Sequence, residues 1–306
     1  MSSITNSAGS FFNRSLAQMA DLRAGIERTR SQIATGRRID RGSQDPAAAA
    51  QLRSVARREA LAKIEDDNAS RLVQDLGSAA NELANVTTLL QRARELALQA
   101  ANTPTSDRGW QAIGFEMEQL GLQLFSRANA SALTGEPLFA GQSSGTAFTR
   151  DTAGNVTYAG TPESGAIPIA PGAAIERGIP GNAIFEFNLN GNPTSAFAVI
   201  GDLAAAMQSA TADRPAAASA ALSGLDAALD SVAKAQTILG TRMAWVEQVQ
   251  VQQAERGIAL ATRRSRVGDT DVADAIAKLQ QSLTALEATQ AAFARVSSLT
   301  LFDALR

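Results

Sequence analysis

The sequence predicts a mainly α-helical chain: a long antiparallel helical bundle and coiled coil formed by the N- and C-terminal flanks, with one small β-rich insertion. Three observations carry this reading. Apolar residues near both ends recur at alternating spacings of three and four, the coiled-coil rhythm. Aromatics make up only 5% of 306 residues while Ala, Leu, Gln and Arg crowd the flanks, so burial must come from many small seams. Gly, Pro, Thr and Asn concentrate in one internal stretch from Leu138 to about Asn192.

The C-terminal run, Asp271 to Arg306, spaces Val272, Ile276, Leu279, Leu283, Leu286 and Phe293 by fours and threes, with polar Gln290 the one interruption. Such a narrow seam needs a partner. At the opposite end Phe12, Met19, Ile26 and Ile33 repeat every seven residues, and Leu22 and Thr29 fill the complementary positions. The two ends are therefore expected to meet as antiparallel helices, each about 40 Å long at a rise of about 1.5 Å per residue. The opening to Ser10 is polar and Ser-rich, so the first helix is expected to start near Ser10 to Arg14. Residues 1–45 and 266–306 are read as one terminal coiled-coil assembly region.

Between the ends, the first helix stops at Gly36. Asp45-Pro46 opens the next, because an Asp side chain accepts from orphan amides at the N-cap and Pro suits a position whose amide is unpaired. That helix runs to about Pro104 with Gly77 its only glycine. Its second half carries an unbroken seam: Ala69, Leu72, Leu76, Ala79, Leu83, Val86, Leu90, Ala93, Ala97 and Ala100. Trp110, Ile113, Met117, Leu120 and Leu124 then form a helix that can fold back on it. After the insertion, a helical pattern covers about Thr194 to Gln208. Pro215 opens a return helix through Leu222, Leu225, Leu229, Val232, Leu239, Met243 and Val246, with Gln236 the exception. Residues 46–140 and 200–265 are read as the helical bundle. Gly268-Asp269 breaks the pattern before the last helix, and capping explains Asp269, Asp271 and Asp274 more simply than calcium does.

The insertion, residues 141–199, is expected to hold short strands at Ala147 to Thr149, Val156 to Tyr158, Ala166 to Ile169 and Ile184 to Phe187. The turn signal Asp151 to Asn155 favours a hairpin between the first two. Its carboxylates, Asp151, Glu163, Glu176 and Glu186, have no spacing that specifies a metal or an acid-base pair. It is expected to stand apart from the helical seams.

Composition bounds the function. With neither Cys nor His, thiolate and imidazole catalysis, disulfides and most transition-metal sites are out of reach. We therefore expect no enzyme, no cofactor and no metal. A net charge of −2 and a pI near 5.4 argue against nucleic acid as a partner. The basic pairs Arg37-Arg38, Arg57-Arg58 and Arg263-Arg264 read as solvated helix faces and ends. No basic-then-apolar leader and no apolar run of transmembrane length is present, so neither a cleaved signal peptide nor a membrane anchor is expected.

Several segments resemble one family. Gln91 to Asn102, QRARELALQAAN, is similar to the signature on the second long helix of bacterial flagellins and their relatives. Ile33 to Ile39 resembles the segment before that helix, and Gln44 to Ala48 its opening. The likeness covers nearly the whole chain outside 141–199. Leu138-Phe139-Ala140-Gly141 and the ending Ser298 to Arg306, with its Phe302-Asp303 pair, resemble the members that join hook to filament more than those that form the filament. Ala140, Thr300 and Ala304 depart from that pattern. The resemblance implies a structural subunit of the flagellum, outside the cell, reached by type III export without a cleaved signal. It implies as partners copies of the chain in a ring, a hook-side junction protein, flagellin or a filament-side neighbour, and an export chaperone at the C-terminal helix. The expected assembly interface is Phe12, Leu16, Met19, Ile26, Ile33, Ile276, Leu283, Leu286, Phe293, Leu299, Leu301 and Phe302, ordered by stacking against neighbours. The alternatives are a flagellin with a short variable domain and a binding module that uses the β-rich insertion for a ligand.

Overall fold

A computed structural model describes residues 2–102, 106–210 and 213–304, with side chains described at 10, 12–102, 106–210 and 213–296. The helices are α1 (Ser2–Thr35), α2 (Pro46–Asn102), α3 (Asp107–Ala128), α4 (Gly181–Phe185), α5 (Ala196–Gln208), α6 (Arg214–Gly268) and α7 (Val272–Ala304). The strands are β1 (Phe148–Arg150), β2 (Val156–Tyr158), β3 (Ala166–Ala170), β4 (Ala173–Glu176), β5 (Glu186–Leu189) and β6 (Asn192–Ser195). The chain divides into two compact units, Met1–Ala60 with Arg256–Arg306, and Leu61–Glu255. Both α2 and α6 supply residues to each.

In the larger unit the α2 seam is buried along its whole length, from Ala69 to Ala100, most of it fully. Trp110, Ile113, Met117, Leu120 and Leu124 of α3 bury with it, as do Leu225, Val232, Leu239 and Val246 of α6. The polar Gln236 is accommodated by donating from Nε2 to Thr87 Oγ1 at 3.4 Å. Arg94 meets Asp226 at 2.5 Å, and Gln250 donates to Ser70 at 3.3 Å, so α2 and α6 run antiparallel. At the start of α6, Arg214 donates to Asp107 at 2.8 Å and to Ser209 O at 2.9 Å, and its guanidinium lies 5.8 Å from the Trp110 ring. Helix α5 packs on α3. A Cβ at Gly114 would lie 2.8 Å from Gln208 Cγ and 3.1 Å from Ala204 O, so only glycine permits that approach.

The β-rich segment consists of three two-stranded antiparallel hairpins, β1–β2, β3–β4 and β5–β6. The strand expected at Ile184 to Phe187 is instead the single turn α4 followed by β5. A strand would send Ile184 and Phe185 to opposite faces, whereas a helical turn lets both be fully buried. The segment does not stand apart from the seams. Phe148, Ile169, Ile175, Ile184 and Phe185 lie in the same hydrophobic cluster as the α2, α3 and α6 seams. Phe148 is the centre of an aromatic group with Tyr158, Phe185 and Phe197 at ring separations of 5.2, 5.5 and 5.0 Å. Polar ties run the same way: Arg177 pairs with Asp75 and Glu136, Asn68 donates to Pro168 O, Arg242 binds Glu176 and Gly178 O, and Gln253 donates to Ile169 O.

In the smaller unit α1 and α7 pack on each other. Helix α1 begins at Ser2, earlier than expected, since no proline interrupts it and a single glycine costs only about 1 kcal/mol in an already nucleated helix. Asp45 caps α2 through Ala48 N at 2.9 Å, and Asp271 caps α7 through Ala273 N at 3.0 Å and Asp274 N at 3.1 Å. Among the described residues no helix is long and apolar enough to cross a membrane.

Candidate assembly interface

The candidate site is the α1–α7 pair, built from two helices whose apolar stripes are one to two residues wide. On α1, Met19 and Ile26 are buried, and Phe12, Leu22, Thr29 and Ile33 are half-buried. On α7 only Ala275 is buried among the described side chains, while Leu279, Leu283, Leu286 and Phe293 are half-buried. Phe12 and Phe293 join the two helices edge to face, with ring centroids 5.2 Å apart.

The two helices do not meet along quite the stripe that the apolar residues mark. The inward line on α7 runs through Ala275, Leu279, Ser282, Leu286, Thr289, Phe293 and Val296, all buried or half-buried. It shares Leu279, Leu286 and Phe293 with the expected seam, sets Ala275, Ser282 and Thr289 between them and ends on Val296, with Leu283 half-buried beside Ser282. Thr289 fills the place before Phe293 because its hydroxyl donates to Ala285 O at 2.7 Å, while Gln290 stays in solvent. Val272 and Ile276 are thereby turned outward, 45% and 43% exposed, and Leu16 on α1 is 53% exposed. Of the expected interface residues, Phe12, Met19, Ile26, Ile33, Leu283, Leu286 and Phe293 thus lie in or beside the α1–α7 contact. Leu16 and Ile276 lie outside it, and the side chains of Leu299, Leu301 and Phe302 fall outside the described residues.

A hydrogen-bonded junction closes the inner end of the pair. The link after α1 and the break before α7 run side by side as an antiparallel bridge between Arg37 and Asp269. Arg38 N donates to Gly268 O at 2.7 Å, and Thr270 N donates to Gly36 O at 2.9 Å. Gly36 turns at φ +69°, where a side chain would be strained. A Cβ at Gly268 would come within 3.1 Å of Leu52, so this glycine lets α2 approach. Asp269 and Thr270 carry no apolar pattern, so periodicity gave no sign of this junction.

Chemically the surface offers apolar area and backbone geometry. Exposed ion pairs decorate it, such as Arg30–Glu27 at 3.1 Å and Lys278–Asp274 at 2.6 Å, and pairs so exposed contribute little. Among the described residues no cluster of Asp or Glu has the makings of a metal site.

Comparisons with known proteins agree with this architecture. The family of the bacterial flagellin N-terminal helical region matches residues 10–144. Flagellar hook-associated protein 3 of Escherichia coli (strain K12) is 28% identical over 290 residues, which cover 89% of this chain and 90% of that protein. The structure of a flagellar hook-associated protein from Vibrio parahaemolyticus superimposes with a TM-score of 0.68 at 20% identity, over 74% of this chain and 100% of the other. The flagellar junction protein FlgL from Legionella pneumophila does so with a TM-score of 0.58 at 15% identity, over 72% and 100%. At these identities the two structures speak to the fold.

Proposed function

We propose that this chain, whose residues 10–144 match the bacterial flagellin N-terminal helical region, is a structural subunit of the flagellum that joins hook-side proteins to the flagellin filament. The half-covered α1–α7 pair carries this reading. A two-helix seam leaves Phe12, Leu22, Ile33, Leu279, Leu283, Leu286 and Phe293 partly in water and presents Leu16, Val272 and Ile276 outright. At about 25 cal/mol per Å² of apolar surface, stacking beside neighbours completes burial that one chain cannot supply. Ordering of the terminal helices is then coupled to assembly. The name of the relative matched over nearly its whole length, a hook-associated protein, supports the same position.

In this reading copies of the chain form a ring, with a hook-side junction protein on one side and flagellin or another filament-side neighbour on the other. An export chaperone covers the C-terminal helix before assembly. The chain works outside the cell, exported without a cleaved signal, and its role is structural and not catalytic. Deleting the gene and imaging the cells tests the reading. Hooks that bear no filament, with flagellin released into the medium, are the expected result. Filaments growing normally on the hooks of deleted cells refute it, and absent filaments with no flagellin in the medium make the chain the filament subunit instead.

A further inference from the structure

We infer that Arg38 is the positioning residue that fixes the register of the α1–α7 pair, an inference whose consequence for assembly rests on the function proposed above. The ends of four helices converge on the junction between residues 36–45 and 267–271, and Arg38 bonds at three of them. Its Nε donates to Val267 O at 3.0 Å and its backbone N to Gly268 O at 2.7 Å, both in the last turn of α6. The other guanidinium nitrogens reach Asp45 Oδ2 at 3.4 and 3.5 Å, the carboxylate that caps α2. Its own carbonyl accepts from Gln32 Nε2 at 2.8 Å, one turn before α1 ends. The fourth end, the entry to α7, is held one step away by Thr270 N on Gly36 O.

The chemistry suits an arginine at each bond. Carbonyls in the last turn of a helix lack intrahelical donors and lie at the negative end of the dipole, which favours a cation. Asp45 adds a full negative charge. A planar fork presents donors to two separated acceptors in fixed directions, whereas an ammonium carries its three donors on one atom at the end of a flexible stem and cannot span the same acceptors in a fixed geometry. The α1–α7 seam itself specifies register weakly. Thr29, Ser282 and Thr289 alternate with its apolar residues, and half-buried leucines can slide by a heptad at modest cost. Its phase must be set where backbone bonds admit one alignment, and the Arg37–Asp269 bridge beside Arg38 is that place.

The chain's lack of cysteine permits a direct test. Ala24 and Gln281 are exposed on α1 and α7, and Ala24→Cys with Gln281→Cys carry spin labels for pulsed EPR on the full-length free chain. Both labels sit in the half of the pair next to the Arg37–Asp269 bridge, the part expected to be ordered before assembly, so the Arg38-containing chain is expected to give one narrow distance. Arg38→Ala should broaden or split it while far-UV helix content is kept. Arg38→Lys, which preserves charge opposite Asp45 but not the fork, should broaden it as well. In cells, both variants should be exported normally and should lose filament attachment in that order of severity. An unchanged distance distribution in Arg38→Ala overturns the inference, and a lysine variant that matches the parent overturns the argument from the fork. Because the EPR readout is taken on the free chain, it stands apart from the deletion experiment that tests the function itself.

Discussion

Phe12 and Phe293 stand edge to face across the α1–α7 pair, 5.2 Å between centroids and 88° between planes. Nearly the whole chain separates them in sequence, and the pairing makes the terminal helices one antiparallel element in the isolated chain. At the other end of that element, the Arg37–Asp269 bridge closes it with backbone hydrogen bonds. The seam between these two points is thin, with Met19, Ile26 and Ala275 its buried apolar side chains among those described.

Amide protection should therefore fall along the pair with distance from the bridge. Ile26 and Ala275 lie near it and are buried, so their amides should exchange slowly. Those of Leu16 and Phe293 should exchange faster in the free chain and slow on assembly. Hydrogen exchange read by mass spectrometry on free and attached chain measures both. Equal protection along the pair in the free chain speaks against coupled ordering.

The outward residues give a sharper contrast. Leu16 and Ile276 are about half exposed, and surface substitutions of this kind usually change stability by less than about 0.5 kcal/mol. Leu16→Asp and Ile276→Asp should leave the thermal unfolding of the free chain in place yet abolish attachment, since each would put a charge into the proposed contact with a neighbour. Normal attachment with both substitutions present removes these two residues from the interface.

Much of the helical architecture is legible in the sequence because seams and caps are local signals. The ten residues from Ala69 to Ala100 are all buried as their spacing requires, and Asp45 and Asp271 cap the helices they precede. The α7 contact is less legible, because apolar residues on a two-helix pair mark both the face that meets the partner and the face left over for others. Ile276 and Ala275 illustrate this: the larger residue is exposed and the smaller one buried. The β5–β6 hairpin carries a local signal of its own. Asn190 at φ 52° and Gly191 at φ 84° form the Asn-Gly turn that favours a two-residue connection. The role of Arg38 lies beyond pattern, since a basic pair at a helix end has the same local sequence whether it is solvated or bonded across 229 residues.

The hairpin segment should matter for folding of the larger unit. Exchanging residues 145–180 for a Gly-Ser linker removes Phe148, Ile169 and Ile175 from the shared core and takes the Phe148 ring from beside Phe185 and Phe197. Loop closure cost changes little with length, but truncating one buried Phe alone costs about 3 to 5 kcal/mol. Phe148→Ala should lower the unfolding midpoint markedly, and the linker variant more so. A linker variant as stable as the parent shows that the helices bury their seams without the hairpins.

The β1–β2 turn has a pH signature. Asp151 is held below the usual carboxylate range, chiefly because its side chain accepts from Asn155 Nδ2 at 2.9 Å and also because it accepts from Asn155 N at 2.8 Å. A carboxyl whose pKa is lowered by folding stabilises the fold above its unfolded pKa, and that contribution is lost as pH falls through the folded value. The turn should therefore loosen only under acid conditions below the ordinary carboxylate titration. An NMR titration of the Asn155 amide reads this directly, and Asp151→Asn should flatten it.

The aromatic pair that closes the terminal helices should separate stability from assembly. Phe293 is half-buried against Phe12, and an edge-to-face pair contributes about 0.5 to 1.5 kcal/mol beyond area burial. The larger unit, with its separate core of leucines and phenylalanines, does not depend on it. Phe293→Ala should thus leave the main thermal transition of the free chain nearly unchanged. In the proposed assembly neighbours cover the open side of this ring, and truncation there should cost the fuller penalty of a buried aromatic, about 3 to 5 kcal/mol, enough to prevent stable attachment. A double-mutant cycle with Phe12→Ala, read on attachment, apportions the loss: a larger attachment defect for Phe293→Ala than for Phe12→Ala would place neighbours on the Phe293 side. If Phe293→Ala melts the free chain and spares attachment, the α1–α7 pair is a core of the free subunit and ordering is not coupled to assembly.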